Sequence, residues 1–105
     1  MTKEEWQHIS QDLDNNYREF LMSYELSVNG KNRGIRRNAD INIQHYIRKA
    51  LFLINSKNEV RALLLGSNQD DFSVAIFMDE FSQSNYFRND MGDFLQKIRD
   101  KIATL

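Results

Sequence analysis

The sequence contains neither cysteine nor proline among its 105 residues, and it has only four glycines. Without cysteine the chain can form no disulfide framework and no thiolate metal site. Because proline and glycine are the strongest turn signals, their scarcity indicates regular elements joined by short turns. The absence of cysteine also suits a reducing compartment, and we expect the protein to be cytoplasmic.

Long apolar stretches are lacking as well. The longest, residues 50–55 and 74–78, are far shorter than the roughly 20 residues that a membrane-spanning helix needs. Residues 1–6 are polar and acidic, and no apolar signal-peptide core follows them, so we expect no membrane association. The chain length and the apolar share of 41% are typical of one globular domain, which we assign to residues 1–105.

The charges are distributed unevenly along the chain. The formal net charge of −1 by itself favours no class of partner. Residues 1–30 contain two basic and six acidic residues, whereas residues 31–57 contain seven basic and one acidic residue. Residues 58–105 contain five basic and eight acidic residues. A basic middle is thus flanked by two acidic ends, and each is a candidate contact surface.

The first predicted element is a helix at the N-terminus. Thr2 and Glu5 have the spacing of a capping box, in which each side chain accepts a hydrogen bond from the other residue's backbone N–H. Apolar residues then share one helical face: Trp6, Ile9 and Leu13. We expect the helix to end at residues 14–16, because the side chains of Asp-Asn-Asn compete for backbone hydrogen bonds.

Two later helices are marked by apolar stripes at helical spacing. The first of them begins at Asn38 or Asp40, either of which can cap it, and ends near residues 55–58. Its stripe is Ile43, Tyr46, Ile47, Ala50, Leu51 and Ile54. The last helix runs from about Ser84 to Ala103. Its stripe is Phe87, Met91, Phe94, Leu95, Ile98 and Ile102.

Residues 17–28 fit a helix and a strand equally well, since apolar side chains recur at both spacings. We choose a strand because Asn29-Gly30 follows, a pair that tolerates the positive φ angles of a tight hairpin turn. Gly34–Arg37 is then a short returning strand. If the segment is a helix instead, the first helix continues to about residue 28.

Two further strands are expected at Glu59–Leu65 and Phe72–Asp79, joined by a loop at residues 66–71. The second has apolar residues on both faces, which is typical of a central strand. The resulting fold class is α+β, with a small, mainly antiparallel sheet flanked by three helices in the order α-β-β-α-β-β-α. The alternative for residues 17–28 gives the order α-α-β-β-α.

The sequence does not indicate an enzyme. His8 and His45 are its only histidines, the side chains that most readily exchange protons near neutral pH, and nothing in the pattern brings them together. Neighbouring carboxylates at residues 70–71 and 79–80 would point to opposite faces of a strand, which does not suit a metal site. No phosphate-binding glycine pattern occurs. We therefore predict no catalytic residue, no metal and no cofactor.

Two charged surfaces remain as candidate sites. The acidic ends form the leading partner-binding surface: Glu4, Glu5, Asp12, Asp14, Asp70, Asp71, Asp79 and Glu80. The basic middle forms the alternative surface: Lys31, Arg33, Arg36, Arg37, Arg48 and Lys49.

The leading functional hypothesis is a small intracellular inhibitor of the toxin-immunity, antitoxin or phage anti-defence kind. Its acidic surface would cover a basic cleft of a partner protein, such as a toxin or nuclease, by steric and electrostatic blockade. One alternative is a nucleic-acid-binding protein that contacts phosphates through residues 31–49. Another is a dimeric secretion-type chaperone, which would combine helix–sheet architecture with acidic ends and form a homodimer.

Overall fold

The computed structural model describes residues 1–66 and 70–105, and within these residues the chain forms five helices and no strand. The helices are α1 (Lys3–Asn29), α2 (Arg33–Asn55), α3 (Asn58–Leu65), α4 (Asp71–Phe81) and α5 (Ser84–Ala103). The predicted α+β fold is therefore wrong, and so is the alternative order α-α-β-β-α. Residues 67–69 of the predicted loop 66–71 lie outside the described residues.

Helices α1, α2 and α5 form the frame of the fold. α1 and α2 form a helical hairpin, joined by a short turn at residues 30–32. α5 runs antiparallel to α1. The Tyr24 hydroxyl contacts the Asn85 side chain at the start of α5 (3.1 Å), whereas Asp14 pairs with Arg99 near its end (3.4 Å).

The core lies between these three helices. α3 and α4 each add a single buried side chain to it, Val60 and Phe81. The largest fully buried side chains of the frame are Trp6, Leu13, Phe20, Ile47, Ile54, Phe87, Met91, Phe94, Leu95 and Ile98. Other side chains of α3 and α4 pack against the core only in part, among them Leu63, Leu64, Phe77 and Met78.

Helix α1 does not end at residues 14–16 but continues to Asn29, so the predicted strand at 17–28 is wrong. The segment has the structure of the alternative, in which the first helix continues to about residue 28. Asn16 is buried, and its side-chain amide donates to the Tyr46 carbonyl of α2 at 2.8 Å. Since this amide bonds to a neighbouring helix, it does not compete with the backbone of its own.

Gly30 ends α1 instead of forming a turn between strands. Its N–H donates to the Leu26 carbonyl at 2.8 Å, and its φ of −58° requires no left-handed conformation. Asn32 then caps α2, because its side-chain oxygen accepts from the Ile35 N–H at 2.9 Å. The predicted strand Gly34–Arg37 is in fact the start of α2, which begins before both predicted start residues.

The predicted strand Glu59–Leu65 forms α3. The guanidinium of Arg61 donates to the Asn55 side chain at 3.1 Å and also to the side chain of Asn58. These bonds connect the end of α2 to the first turn of α3. Gly66 ends α3 with a φ of +68°, in the left-handed region that favours glycine after a helix.

The predicted strand Phe72–Asp79 lies within α4. A short run that is apolar on both faces fits a buried strand and an apolar helix equally well, so periodicity does not separate them. The local signal that favours the helix is its cap. The Asp70 carboxylate accepts from the backbone N–H and the hydroxyl of Ser73, both at 2.9 Å.

The elements that carried clear cap or stripe signals are confirmed. α1 begins with the predicted capping box, in which Thr2 and Glu5 exchange two hydrogen bonds of 3.1 Å. α2 ends at Asn55, and α5 spans Ser84–Ala103 as predicted. The predicted stripes of all three helices face the core, and two of their members are only half-buried. These two are Tyr46 and Ile102.

Two glycines offer a matched test of this fold. A Cβ at Gly30 would lie 2.4 Å from the Leu26 carbonyl oxygen, so the turn would have to shift in Gly30→Ala. We expect this variant to lose about 1–3 kcal/mol of unfolding free energy. A Cβ at Gly92, inside α5, would have no atom within 4 Å. Gly92→Ala is therefore expected to gain up to about 1 kcal/mol.

Chemical denaturation followed by circular dichroism measures both changes. A loss of stability in Gly92→Ala would contradict the helix at Gly92, and an unchanged stability in Gly30→Ala would contradict the turn geometry at Gly30.

Candidate functional site

Helix α4 presents an uncovered apolar face. Phe72 is 74% exposed and Ile76 is 43% exposed, one turn apart on the same side of the helix. Asp79 and Glu80 continue this exposed face at the end of the helix. Two large apolar side chains with adjacent carboxylates are a feature of protein-binding surfaces more than of a solvated helix.

A groove of about 670 Å³ adjoins this face and lies between α3, α4 and α5. Its apolar lining consists of Leu64, Leu65, Ile76, Phe77, Phe81 and Phe94. Its polar lining consists of Ser73, Glu80, Tyr86, Asp90, Asp93 and Lys97. Phe81 and Phe94 are buried, so they form the floor, whereas the charged side chains, of which only Asp90 is half-buried, form the rim.

The rim of the groove is acidic. Glu80, Asp90 and Asp93 carry three negative charges, against one positive charge on Lys97. Within residues 1–66 and 70–105, none of these four side chains forms an ion pair. Partial burial raises the pKa of Tyr86, and the nearby carboxylates of Asp90 and Glu80 raise it further. The groove therefore combines an apolar floor with unneutralised negative charge.

The α4 segment also lacks any positive charge of its own. Between Arg61 and Arg88 the sequence contains four carboxylates and no lysine or arginine. A basic partner approaching this side of the molecule would meet no repulsion from α4 itself.

The four predicted acidic residues of this segment have different roles. Asp70 caps α4, and Asp71 is exposed in its first turn. Asp79 and Glu80 lie in its last turn, and of the four only Glu80 lines the groove. One member of the predicted set is therefore part of the rim.

The four predicted acidic residues of the N-terminal segment lie on α1 and do not line this groove. Glu5 belongs to the capping box and lies 4.0 Å from Lys57. Hydrogen bonds from Thr2 lower the pKa of Glu5. Glu4 and Asp12 are exposed.

Asp14 is occupied by ion pairs of its own. It contacts Arg18 at 2.9 Å and Arg99 at 3.4 Å, which connects α1 to α5. Its carboxylate therefore contributes to the packing of the fold and is not available to a partner in this arrangement.

The predicted basic surface divides into two parts. We define the basic turn as the exposed residues Lys31, Arg33, Arg36 and Arg37. It borders a shallow depression that includes Ser27 and Asp40, and Arg36 donates to the Gly30 carbonyl at 2.9 Å. Within the described chain, no member of the basic turn forms an ion pair.

Arg48 and Lys49 lie apart from the basic turn. They are 11 and 12 residues beyond Arg37 on the same helix, which places them roughly 16 Å further along its axis. Lys49 lines a different depression, which also contains Asp12 and Glu19. The structure therefore does not join the six predicted basic residues into one surface.

The histidines do not form a site. Both His8 and His45 are exposed. Across residues 1–66 and 70–105, no three histidine, aspartate or glutamate side chains lie close enough together to hold a metal ion. In the same residues, no helix has the length and apolar character required to cross a membrane.

Sequence reasoning missed most of the groove. Tyr86, Asp90, Asp93 and Lys97 recur at helical spacing along the correctly predicted last helix, so this stripe could have been identified. Ile76 could not have been identified in this way, because residues 72–79 were predicted as a strand, whose side chains alternate every two residues instead of following the helical repeat. The meeting of α4 with α5 is a tertiary contact that no local pattern shows.

Comparison of the chain with models of known protein families, with curated proteins and with solved structures finds no match.

The cap of α4 makes a prediction about acid stability. Hydrogen bonds from the backbone and hydroxyl of Ser73 lower the pKa of Asp70 in the folded chain. The Asp70 cap therefore stabilises the folded chain fully at pH values above the pKa that Asp70 has in the unfolded chain. This stabilisation is lost as the pH falls through the lower pKa that Asp70 has in the folded chain. We expect wild type to be more stable than Asp70→Ala at pH 7, and this difference to shrink at about pH 2.5.

Urea denaturation at the two pH values measures the effect, with Asp71→Ala as the control. The Asp71 carboxylate has no hydrogen-bond donor among the described residues. An equal pH dependence in both variants would show that the cap is not formed.

Proposed function

We propose that this chain is a small protein-binding inhibitor of the toxin-immunity, antitoxin or phage anti-defence kind. The observation that carries the proposal is the exposed apolar face of α4, bordered by the acidic groove. In this role the chain would act by occupying a partner's surface, with no catalytic residue, metal or cofactor. A reducing compartment such as the cytoplasm suits a chain without cysteine.

The energetics of exposed apolar residues support binding. Burying a side chain such as phenylalanine contributes about 1.5–3 kcal/mol relative to leaving it in water. Phe72 leaves most of that contribution unused in the isolated chain, and Ile76, which is 43% exposed, leaves part of it unused. Interfaces concentrate their binding energy in a few such anchors surrounded by polar residues.

The negative charge supports a basic partner. Carboxylates along the rim would attract a positively charged cleft and speed association with it. A protein that seats on such a cleft, as in a nuclease, would exclude the substrate sterically while its own charges neutralise those of the cleft. As in the hypothesis drawn from the sequence, negative charge attracts a basic cleft of the partner. The binding surface proposed here, however, lies on α4 and α5.

A second candidate function, nucleic-acid binding, is favoured by the basic turn. Residues 26–39 contain four positive charges and no negative charge. Phosphate contacts by such residues would give affinity that falls steeply with salt.

The chaperone alternative, in contrast, depends on a helix–sheet architecture, and residues 1–66 and 70–105 contain no sheet.

A double substitution tests the proposed interface. We expect Phe72→Asp with Ile76→Asp to weaken binding of the captured partner protein at least about 30-fold, because both apolar anchors are lost. The measurement is affinity capture from a lysate of the organism that encodes the chain, washed at high salt, followed by calorimetry with the purified partner.

Phe52→Asp provides the matched control, since Phe52 is also 74% exposed but lies on α2 and does not line the groove. Equal losses in the control and the double variant would argue against α4 as the interface. So would capture that is unaffected by the double substitution.

The basic turn has its own test. If nucleic acid is the ligand, Arg36→Glu with Arg37→Glu is expected to lower the affinity for a short DNA or RNA duplex by at least about tenfold at moderate salt. Arg48→Glu with Lys49→Glu, which lie apart on α2, serves as the comparison. Unchanged affinity in the first variant would remove this second candidate.

A further inference from the structure

The shape of the groove limits what can occupy it. One wall is the α5 stripe formed by Tyr86, Asp90, Asp93 and Lys97. This stripe spans 11 residue steps, or roughly 16 Å, which is about three helical turns. The opposite wall is α4, with Ile76 and Phe77 directed into the same space.

A ligand that fills this groove must present a row of apolar side chains to its floor. The floor contains the aromatic rings of Phe77, Phe81 and Phe94, with Leu64 and Leu65 at the α3 end. An amphipathic helix, with apolar residues at positions i, i+4 and i+7, supplies such a line over three turns.

The backbone of the occupant must also satisfy its own hydrogen bonds. Both walls are helices whose backbone groups bond internally, and no strand edge exists within residues 1–66 and 70–105. An extended peptide could therefore not add to a sheet here. A helix brings its backbone hydrogen bonds with it and leaves no polar group unpaired in the groove.

The charge of the occupant follows from the rim. Among residues 1–66 and 70–105, Glu80 on α4 and Asp90 and Asp93 on α5 border the apolar floor without an ion-pair partner, and Lys97 is the one positive charge on the rim. Lysine or arginine on both flanks of the incoming apolar stripe would face these carboxylates. An acidic helix would place like charges together.

We infer that this groove binds a basic amphipathic α-helix of about three turns, supplied by the partner protein. The inference rests on the proposed function and specifies which element of the partner the chain recognises. A second copy fits less well. The exposed apolar pair Met22 and Leu26 on α1 is flanked by Glu25, and Arg18 is already paired with Asp14.

Selection from a displayed library of helical peptides tests this inference without knowledge of the natural partner. The purified full chain is the bait, and the library consists of helices of about 15 residues with randomised surface positions. We expect the selected peptides to share an apolar i, i+4, i+7 stripe flanked by lysine or arginine.

Fluorescence anisotropy with a selected peptide then locates the site. We expect Asp93→Lys to weaken the peptide about tenfold or more, because a like charge replaces an attractive one at the rim. Asp100→Lys is the matched control: it makes the same charge change on the same helix, outside the groove. Circular dichroism establishes that both variants are folded.

With the peptide library, the inference is overturned if no peptide is selected, if the selected peptides lack the basic amphipathic pattern, or if they bind Asp93→Lys and wild type with equal affinity. Self-association of the chain that Asp93→Lys abolishes would assign the groove to a second copy, which also overturns it. If a natural partner binds through Phe72 and Ile76 but is insensitive to Asp93→Lys, the proposed function stands and this inference fails. If peptides bind as expected but no natural protein is captured, the proposed function fails instead.

Discussion

The arrangement of α4 depends on one aromatic cluster centred on Phe87. The ring of Phe87 lies 4.7 Å from that of Phe20 on α1 and 5.4 Å from that of Phe81 on α4, measured between centroids. Tyr17 adds a third neighbour at 6.2 Å. Edge-on contacts of this kind contribute beyond simple burial. Because Phe81 is the one buried residue of α4 within the described chain, this cluster fixes where α4 meets α5.

This attachment near the C-terminal end of α4 explains why the groove exists. Phe81 is buried there and Phe77 and Met78 pack partly against the core, whereas Phe72 and Ile76 in the first part of the helix stay exposed. The uncovered space is bordered by Phe77 and Phe94 below and by Asp90 and Asp93 above. In the proposed function, a helix whose apolar residues are only partly buried would provide a binding surface without any change in the core.

The sequence predicted those parts of the fold whose signals are local. The capping box at Thr2 and the long stripe of α5 specify helices by cap chemistry and 3.6-residue periodicity, so the start of α1 and both ends of α5 are predicted correctly, whereas the end of α1 is not. Residues 17–28 and 72–79 were not, since their apolar spacing fits either element. A tertiary contact, the bond from Asn16 to α2, favours the continuation of α1, whereas the local signal for α4 is the Asp70 cap. The candidate site also divides into residues that the sequence predicts and residues that it does not. Glu80 is predicted from its charge. Ile76, Asp90 and Asp93 form a surface only when α4 packs beside α5.

In the proposed function, α4 and the adjoining stripe of α5 form the surface by which this chain holds a partner protein. Hydrogen–deuterium exchange of the chain, alone and bound to the protein that it captures, locates that surface. We expect slower amide exchange on binding in residues 72–80 and 86–97, with residues 31–37 unchanged. Protection concentrated in residues 31–37, with α4 and α5 unaffected, would rule out the α4 surface and place the contact at the basic turn.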